Sequence, residues 1–135
     1  MWSAPITFQI RELAHDVTIS SAATGKRTFT FALTNNTHRP IQIADRLVLQ
    51  RSVDGTWVDL TWTSASSCRN DTNGSGCVEL GPGTTLSPEP WGGMTCMQCV
   101  CHANTFAEPG RYRLVARACT GDRDFVGGES VLGPR

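Results

Sequence analysis

The sequence predicts an all-β domain, an antiparallel sandwich of about seven short strands held by disulfides. Three observations predict it. Apolar residues recur at every second position in run after run, turn-forming residues separate the runs, and six cysteines crowd the second half of a chain of 135 residues. No stretch carries a sustained helical stripe, and Leu13 to Val17 is too short to begin one.

The alternating runs come in order. Ile6, Phe8 and Ile10 form the first, and Phe29, Phe31 and Leu33 the second. Leu47 and Leu49 follow, then Val58, Leu60 and Trp62, and finally Tyr112, Leu114, Ala116 and Ala118. Side chains two apart on a strand share a face, so each run lays one face on a core. Between the runs stand Thr24-Gly25-Lys26, Asn35-Asn36-Thr37, Asp54-Gly55, Gly81-Pro82-Gly83, Pro109-Gly110 and Gly121-Asp122. Asp54-Gly55 predicts a tight hairpin, because a type I′ turn needs positive φ at both central residues.

Length and the absence of a linker or internal repeat give one domain over 1–135. The 12 basic and 12 acidic side chains cancel, which argues against global attraction to nucleic acid or to anionic membrane. No apolar run reaches the roughly 18 residues of a transmembrane helix. Met1-Trp2-Ser3-Ala4-Pro5 has neither the basic start nor the apolar stretch of a signal peptide, and reads as the opening of a mature domain. Lysine occurs once, at Lys26, while arginine, serine and threonine abound. With an even number of cysteines, this points to an extracytoplasmic place: secreted, periplasmic or surface-anchored, as in a lipoprotein.

Four phrases carry a resemblance: Thr30-Phe31-Ala32-Leu33-Thr34-Asn35, Leu80-Gly81-Pro82-Gly83, Trp91-Gly92-Gly93, and Pro109-Gly110-Arg111-Tyr112-Arg113-Leu114. Their order resembles bacterial immunoglobulin-like sandwich modules. It is also similar to the intracellular proteinase inhibitor family of bacilli, from about Thr28 to Thr120. The resemblance implies an immunoglobulin-like antiparallel sandwich, and from the inhibitor family a protease-inhibiting role, but no inhibitory residue carries over. Antibody domains place a cysteine two positions after the tyrosine of the late strand. Here Cys119 follows Tyr112 by seven, so an antibody-type bridge between the sheets is not expected.

The span 64–107 departs from that pattern and reads as a cysteine-rich insertion between strands. It holds Cys68, Cys77, Cys96, Cys99 and Cys101, with Cys119 beyond it. Bridges are the first reading. Cys68 with Cys77 closes a short loop, and one of the three clustered cysteines reaches Cys119; Cys96–Cys101 with Cys99–Cys119 is one solution among many. Metal is the alternative. Met94, Cys96, Cys99, Cys101 and His102 gather soft sulfur and imidazole within nine residues, with Met97 among them. Thiolates and thioethers select copper(I), and thiolate with imidazole suits zinc. Both need free thiols, which an oxidising compartment removes. Cys96-x4-Cys101-His102 departs from the C-x-x-C-H signature of haem attachment. Asp71, Asn73, Ser75 and Glu79 open like a calcium loop, but Pro82 stands where the closing bidentate carboxylate belongs.

Arg111, Arg113 and Arg117 share one face of a strand, with Arg123 after the turn. Such a row binds carboxylates or phosphates, or else forms a solvated face with cross-strand acidic partners, which is the reading preferred here. That face shows no aromatic stacking residues, against nucleic acid. Of Trp57, Trp62 and Trp91, one belongs between the sheets. Trp57 and Trp62 have opposite parity, so one of them faces solvent as a contact point, and Trp91 is a further candidate for binding. No hydrolase, metalloprotease or paired-carboxylate pattern appears. Asn35, Asn70 and Asn73 match the glycosylation acceptor pattern. The expected function is therefore a non-enzymatic binding or structural module, recognising a protein partner through the span 64–107. A copper or zinc protein and a protease inhibitor are the alternatives.

Overall fold

The computed structural model describes residues 12–13, 15–65, 76–95, 97, 105–120 and 123–134. The expected strand over Ile6 to Ile10 lies outside them. Ten strands and no helix appear among the described residues: β1 (Glu12–Leu13), β2 (Val17–Ala23), β3 (Phe29–Asn35), β4 (Ile41–Ala44), β5 (Arg46–Val53), β6 (Thr56–Ser64), β7 (Cys77–Leu80), β8 (Thr85–Leu86), β9 (Gly110–Arg117) and β10 (Arg123–Leu132).

The strands form a five-stranded sheet in the order β1-β10-β9-β5-β6, a three-stranded sheet β2-β3-β8, and the pair β4-β7. Every pairing is antiparallel except β1 with β10. The inner faces supply one core. Phe31 and Leu33 come from β3, Leu47 and Leu49 from β5, Tyr112, Leu114 and Ala116 from β9, and Phe125 from β10. These are the residues that alternation places inward, because a half-buried strand buries every second side chain. The β5–β6 hairpin turns through Asp54 and Gly55 at φ 51° and 81°, the positive angles expected there.

Two departures from simple alternation matter. In β6, Leu49 pairs with Thr61 and Gln50 with Asp59, so Leu60 is an extra residue, a β-bulge. In β10 the register shifts between Gly127 and Ser130. There β10 passes so close to β2 that a Cβ on Gly127 would lie 2.5 Å from the Ile19 carbonyl oxygen. Only glycine allows that approach.

Residues of the four sequence phrases act as fasteners. Asn35 is fully buried; its Nδ2 donates to the carbonyls of Arg39 and Leu80, and its Oδ1 accepts from the Thr37 amide and hydroxyl. The Gly83 amide donates to the Asn35 carbonyl at 2.9 Å. Trp91 bridges Phe29 and packs on Tyr112, ring centroids 4.7 Å apart. The Tyr112 hydroxyl donates to the Glu108 carbonyl, four residues upstream.

Strand registers define two ends. Where β9 finishes, Arg117 lies beside Asp124, Val115 beside Val48, and Arg46 beside Ser64; this is the Cys119 end. Where β9 begins, Gly110 lies beside Leu132, and Arg27 reaches Gly133; this is the Arg27 end. The span 64–107 is not one excursion. The residues flanking 66–75 stand at the Cys119 end, and the chain then supplies β7 and β8 to the sheets and buried Trp91 to the core. The residues flanking 98–104 stand at the Arg27 end.

Candidate functional site

The Cys119 end is closed by a disulfide between Cys77 and Cys119, Cα atoms 6.3 Å apart. This corrects two expected pairings, Cys68 with Cys77 and Cys119 with the 96–101 cluster. The cause is register. The pairing of β4 with β7 sets Cys77 opposite Ala44, while Ile43 bridges Ala118 and the Cys119 amide donates to the Gln42 carbonyl. Cys77 and Cys119 are thus neighbours across two sheets, 42 residues apart in sequence. The bridge ties the sheets at one end; it does not staple a loop to itself. Cys68, Cys96, Cys99 and Cys101 lie outside the described residues.

At the same end, Asp45 joins both flanks of 66–75. The Ala65 amide donates to its carbonyl at 2.7 Å, and its own amide donates to the Gly76 carbonyl at 3.1 Å. Its carboxylate is buried and accepts from the Ser64 hydroxyl at 2.7 Å. Beside this lies a cleft of about 360 Å³. Phe125, Ala118, Ile41 and Pro40 give it apolar walls, and Asp16, Arg39, Arg123, Gln42 and Thr120 give it a polar rim. Arg123 pairs with Asp16 and lies over the Phe125 ring.

At the Arg27 end the fastener is a guanidinium. Arg27 donates to the carbonyls of Gly133 at 2.8 Å, Ala107 at 2.9 Å and Gly93 at 3.3 Å, and stacks over Phe106. The flanks of 98–104 are joined there too: Met94 bridges Phe106, the Thr95 amide donates to the Thr105 carbonyl, and the Ala107 amide to Gly93. Of the expected metal ligands, Met94 lends its carbonyl to the Trp91 indole at 2.8 Å. Cys96, Cys99, Cys101 and His102 lie outside the described residues. Met97 is core, 1% exposed. Among the described residues no group of three metal-binding side chains converges. Trp91 is fully buried, which removes it as a contact residue. It is the tryptophan expected between the sheets.

The arginine row lies on the outer face of the five-stranded sheet. Arg111 pairs with Glu129 and Arg117 with Asp124, the solvated face with cross-strand partners expected. Arg113 donates to the Gln50 side chain at 2.8 Å, and partial burial lowers its pKa against the pull of Glu129 and Asp124. The face does carry aromatics, contrary to expectation. Arg113 stacks over Trp57 and Arg46 over Trp62. The Leu60 bulge reverses parity between the two tryptophans and brings both to this face, half-buried under guanidinium caps. The ground for setting nucleic acid aside on this face, a lack of stacking rings, is therefore gone.

Of the calcium set, Glu79 sits on β7, accepting from Gln42 at 3.2 Å, while Asp71, Asn73 and Ser75 lie outside the described residues. Asn35 is buried with its amide committed, so it is no glycosylation acceptor in the folded chain. Arg27 and Asp45 had no motif to betray them. A lone arginine after Gly25-Lys26 and a lone aspartate between strands look like ordinary turn residues. No known family model matches this chain, and no curated protein matches it.

Proposed function

We propose that the chain is a non-enzymatic recognition module, an immunoglobulin-like sandwich of a secreted or envelope-anchored bacterial protein. Its binding surface is carried by the cysteine-bearing segments 66–75 and 98–104. One observation carries the reading: the two flanks of each segment are held together by main-chain bonds, through Asp45 on one end and between Gly93 and Ala107 and Thr95 and Thr105 on the other. Recognition is concentrated on loops that a rigid scaffold positions. The Tyr112 hydroxyl closing on the Glu108 carbonyl supports the immunoglobulin-like topology, whose late strand opens with such a tyrosine corner. The Cys77–Cys119 bridge supports an oxidising compartment.

Two measurements test it. Intact mass with thiol alkylation on the exported protein, paired with metal analysis, should give six oxidised cysteines and no metal. Free thiols with stoichiometric copper or zinc would overturn the reading in favour of a metal protein. Cross-linking in the native envelope, mapped by peptide, should place partner contacts in 66–75 or 98–104. Contacts confined to the Trp57 and Trp62 face would refute that assignment.

A further inference from the structure

We propose that the cleft at the Cys119 end binds a carboxylate borne on a short apolar stem. Among the described residues, two guanidinium groups, Arg39 and Arg123, and one carboxylate, Asp16, line it. Asp16 pairs with Arg123. The Arg39 guanidinium makes no hydrogen bond or ion pair among the described residues.

The base of Arg39 is nonetheless held firmly. Its carbonyl accepts from Asn35 Nδ2 at 2.8 Å and from the Thr37 hydroxyl at 2.9 Å. The planar fork of arginine matches a carboxylate through two parallel bonds.

The floor selects what carries the charge. Half-buried Ile41 and Ala118 and exposed Pro40 give the cleft apolar walls, above the fully buried Phe125. An inorganic anion leaves those walls wetted, whereas an aliphatic stem covers them. A volume of about 360 Å³ accommodates a small ligand or a chain terminus. The two walls come from β4 and from the residues after β9, and the Cys77–Cys119 bridge fixes their spacing. This site is independent of the recognition reading above, and neither requires the other.

The test is titration of the full, oxidised chain, followed by backbone amide shifts and calorimetry. N-acetyl-leucine should bind saturably, moving the amides of Gln42, Ala118 and Thr120. N-acetyl-leucinamide, which lacks the charge, should bind about tenfold or more weakly. Arg39→Gln should weaken N-acetyl-leucine by a similar factor with an unchanged melting temperature. A short peptide ending in leucine with a free carboxylate separates the sources. Tighter binding than N-acetyl-leucine assigns the site to chain termini, and equal binding assigns it to small carboxylates. The proposal is overturned if the amide binds as tightly as the acid, if inorganic phosphate binds as tightly, or if no saturable shift appears at millimolar ligand.

Discussion

At the Cys119 end, two sheets are joined by a covalent bond at the surface, and a buried carboxylate, Asp45, gathers the chain around it. At the Arg27 end no disulfide appears among the described residues. There a guanidinium is shared among three backbone carbonyls, and a buried tyrosine and tryptophan pack beneath. The covalent fastener acts largely on the unfolded chain, by denying it open conformations. The guanidinium fastener acts on the folded chain, by tying the Gly93, Ala107 and Gly133 carbonyls to one side chain. The two ends should therefore fail differently when each is cut.

Replacing Cys77 and Cys119 together by alanine has the largest expected effect. A bridge spanning 42 residues should contribute about 3–4 kcal/mol. Urea unfolding measures the total, and hydrogen exchange measures its spread. Because the term sits mainly in the unfolded ensemble, amides at both ends should lose protection. Loss confined to Gln42, Cys119 and their neighbours would show that the bridge instead holds native structure locally.

Arg27→Leu comes next, at about 2 kcal/mol, since hydrogen bonds to a charged group outweigh neutral ones. Exchange should rise at Thr95 and Ala107 and stay unchanged at Asp45. Arg27→Lys should not restore stability, because one ammonium cannot span three separated carbonyls. Full rescue by lysine would mean that the cation over Phe106, and not the carbonyl bonds, holds this end.

How far the sequence announced this architecture depends on the element. β5 and β9 were legible because nothing interrupts their period of two, and the Asp54-Gly55 turn because its backbone angles demand those residues. β6 was only half legible. One extra residue at Leu60 moves Trp57 and Trp62 to one face, and a count of parity has no way to sense a bulge. β10 escaped notice because Gly127 and Gly128 break its apolar rhythm where it crosses Ile19 and Phe31. The disulfide partner escaped because strand register, not spacing along the chain, makes Cys77 and Cys119 neighbours. Alternation placed Arg111, Arg113 and Arg117 on one face, where Arg111 and Arg117 have acidic partners, but it gave no sign of the tryptophan under Arg113.

Tyr112→Phe probes the packing below Arg27 and should cost about 1 kcal/mol, because a part-buried hydrogen bond to the Glu108 carbonyl is lost. The same residue predicts a pH dependence. Burial raises the Tyr112 pKa above its ordinary 10.0, partly opposed by the positive charge of Arg51. The unfolded chain therefore gives up this proton first. Stability should fall as pH rises through 10.0 and level off once the folded phenol also ionises. Tyr112 is the single tyrosine of the chain, so tyrosinate absorbance reads it alone. Ionisation in the folded protein at or below 10.0 would contradict the burial argument.

The smallest effect belongs to a second arginine at the Arg27 end. Arg111 makes an ion pair with Glu129 at 3.0 Å, with side chains 60% and 53% exposed. Water screens both charges, and ordering two long side chains offsets most of the attraction, so Arg111→Ala should change stability by about 0.5 kcal/mol or less. Set beside Arg27, the pair isolates what matters. Arg111 has a full opposite charge and Arg27 only carbonyl dipoles, yet Arg27 should count for more, because its guanidinium is half-buried and ties three chain segments together at once. Added salt should erase the Arg111 contribution and leave that of Arg27 nearly intact. Equal salt sensitivity in the two variants would mean that both arginines act through charge, and that the end is held by its field and not by its hydrogen bonds.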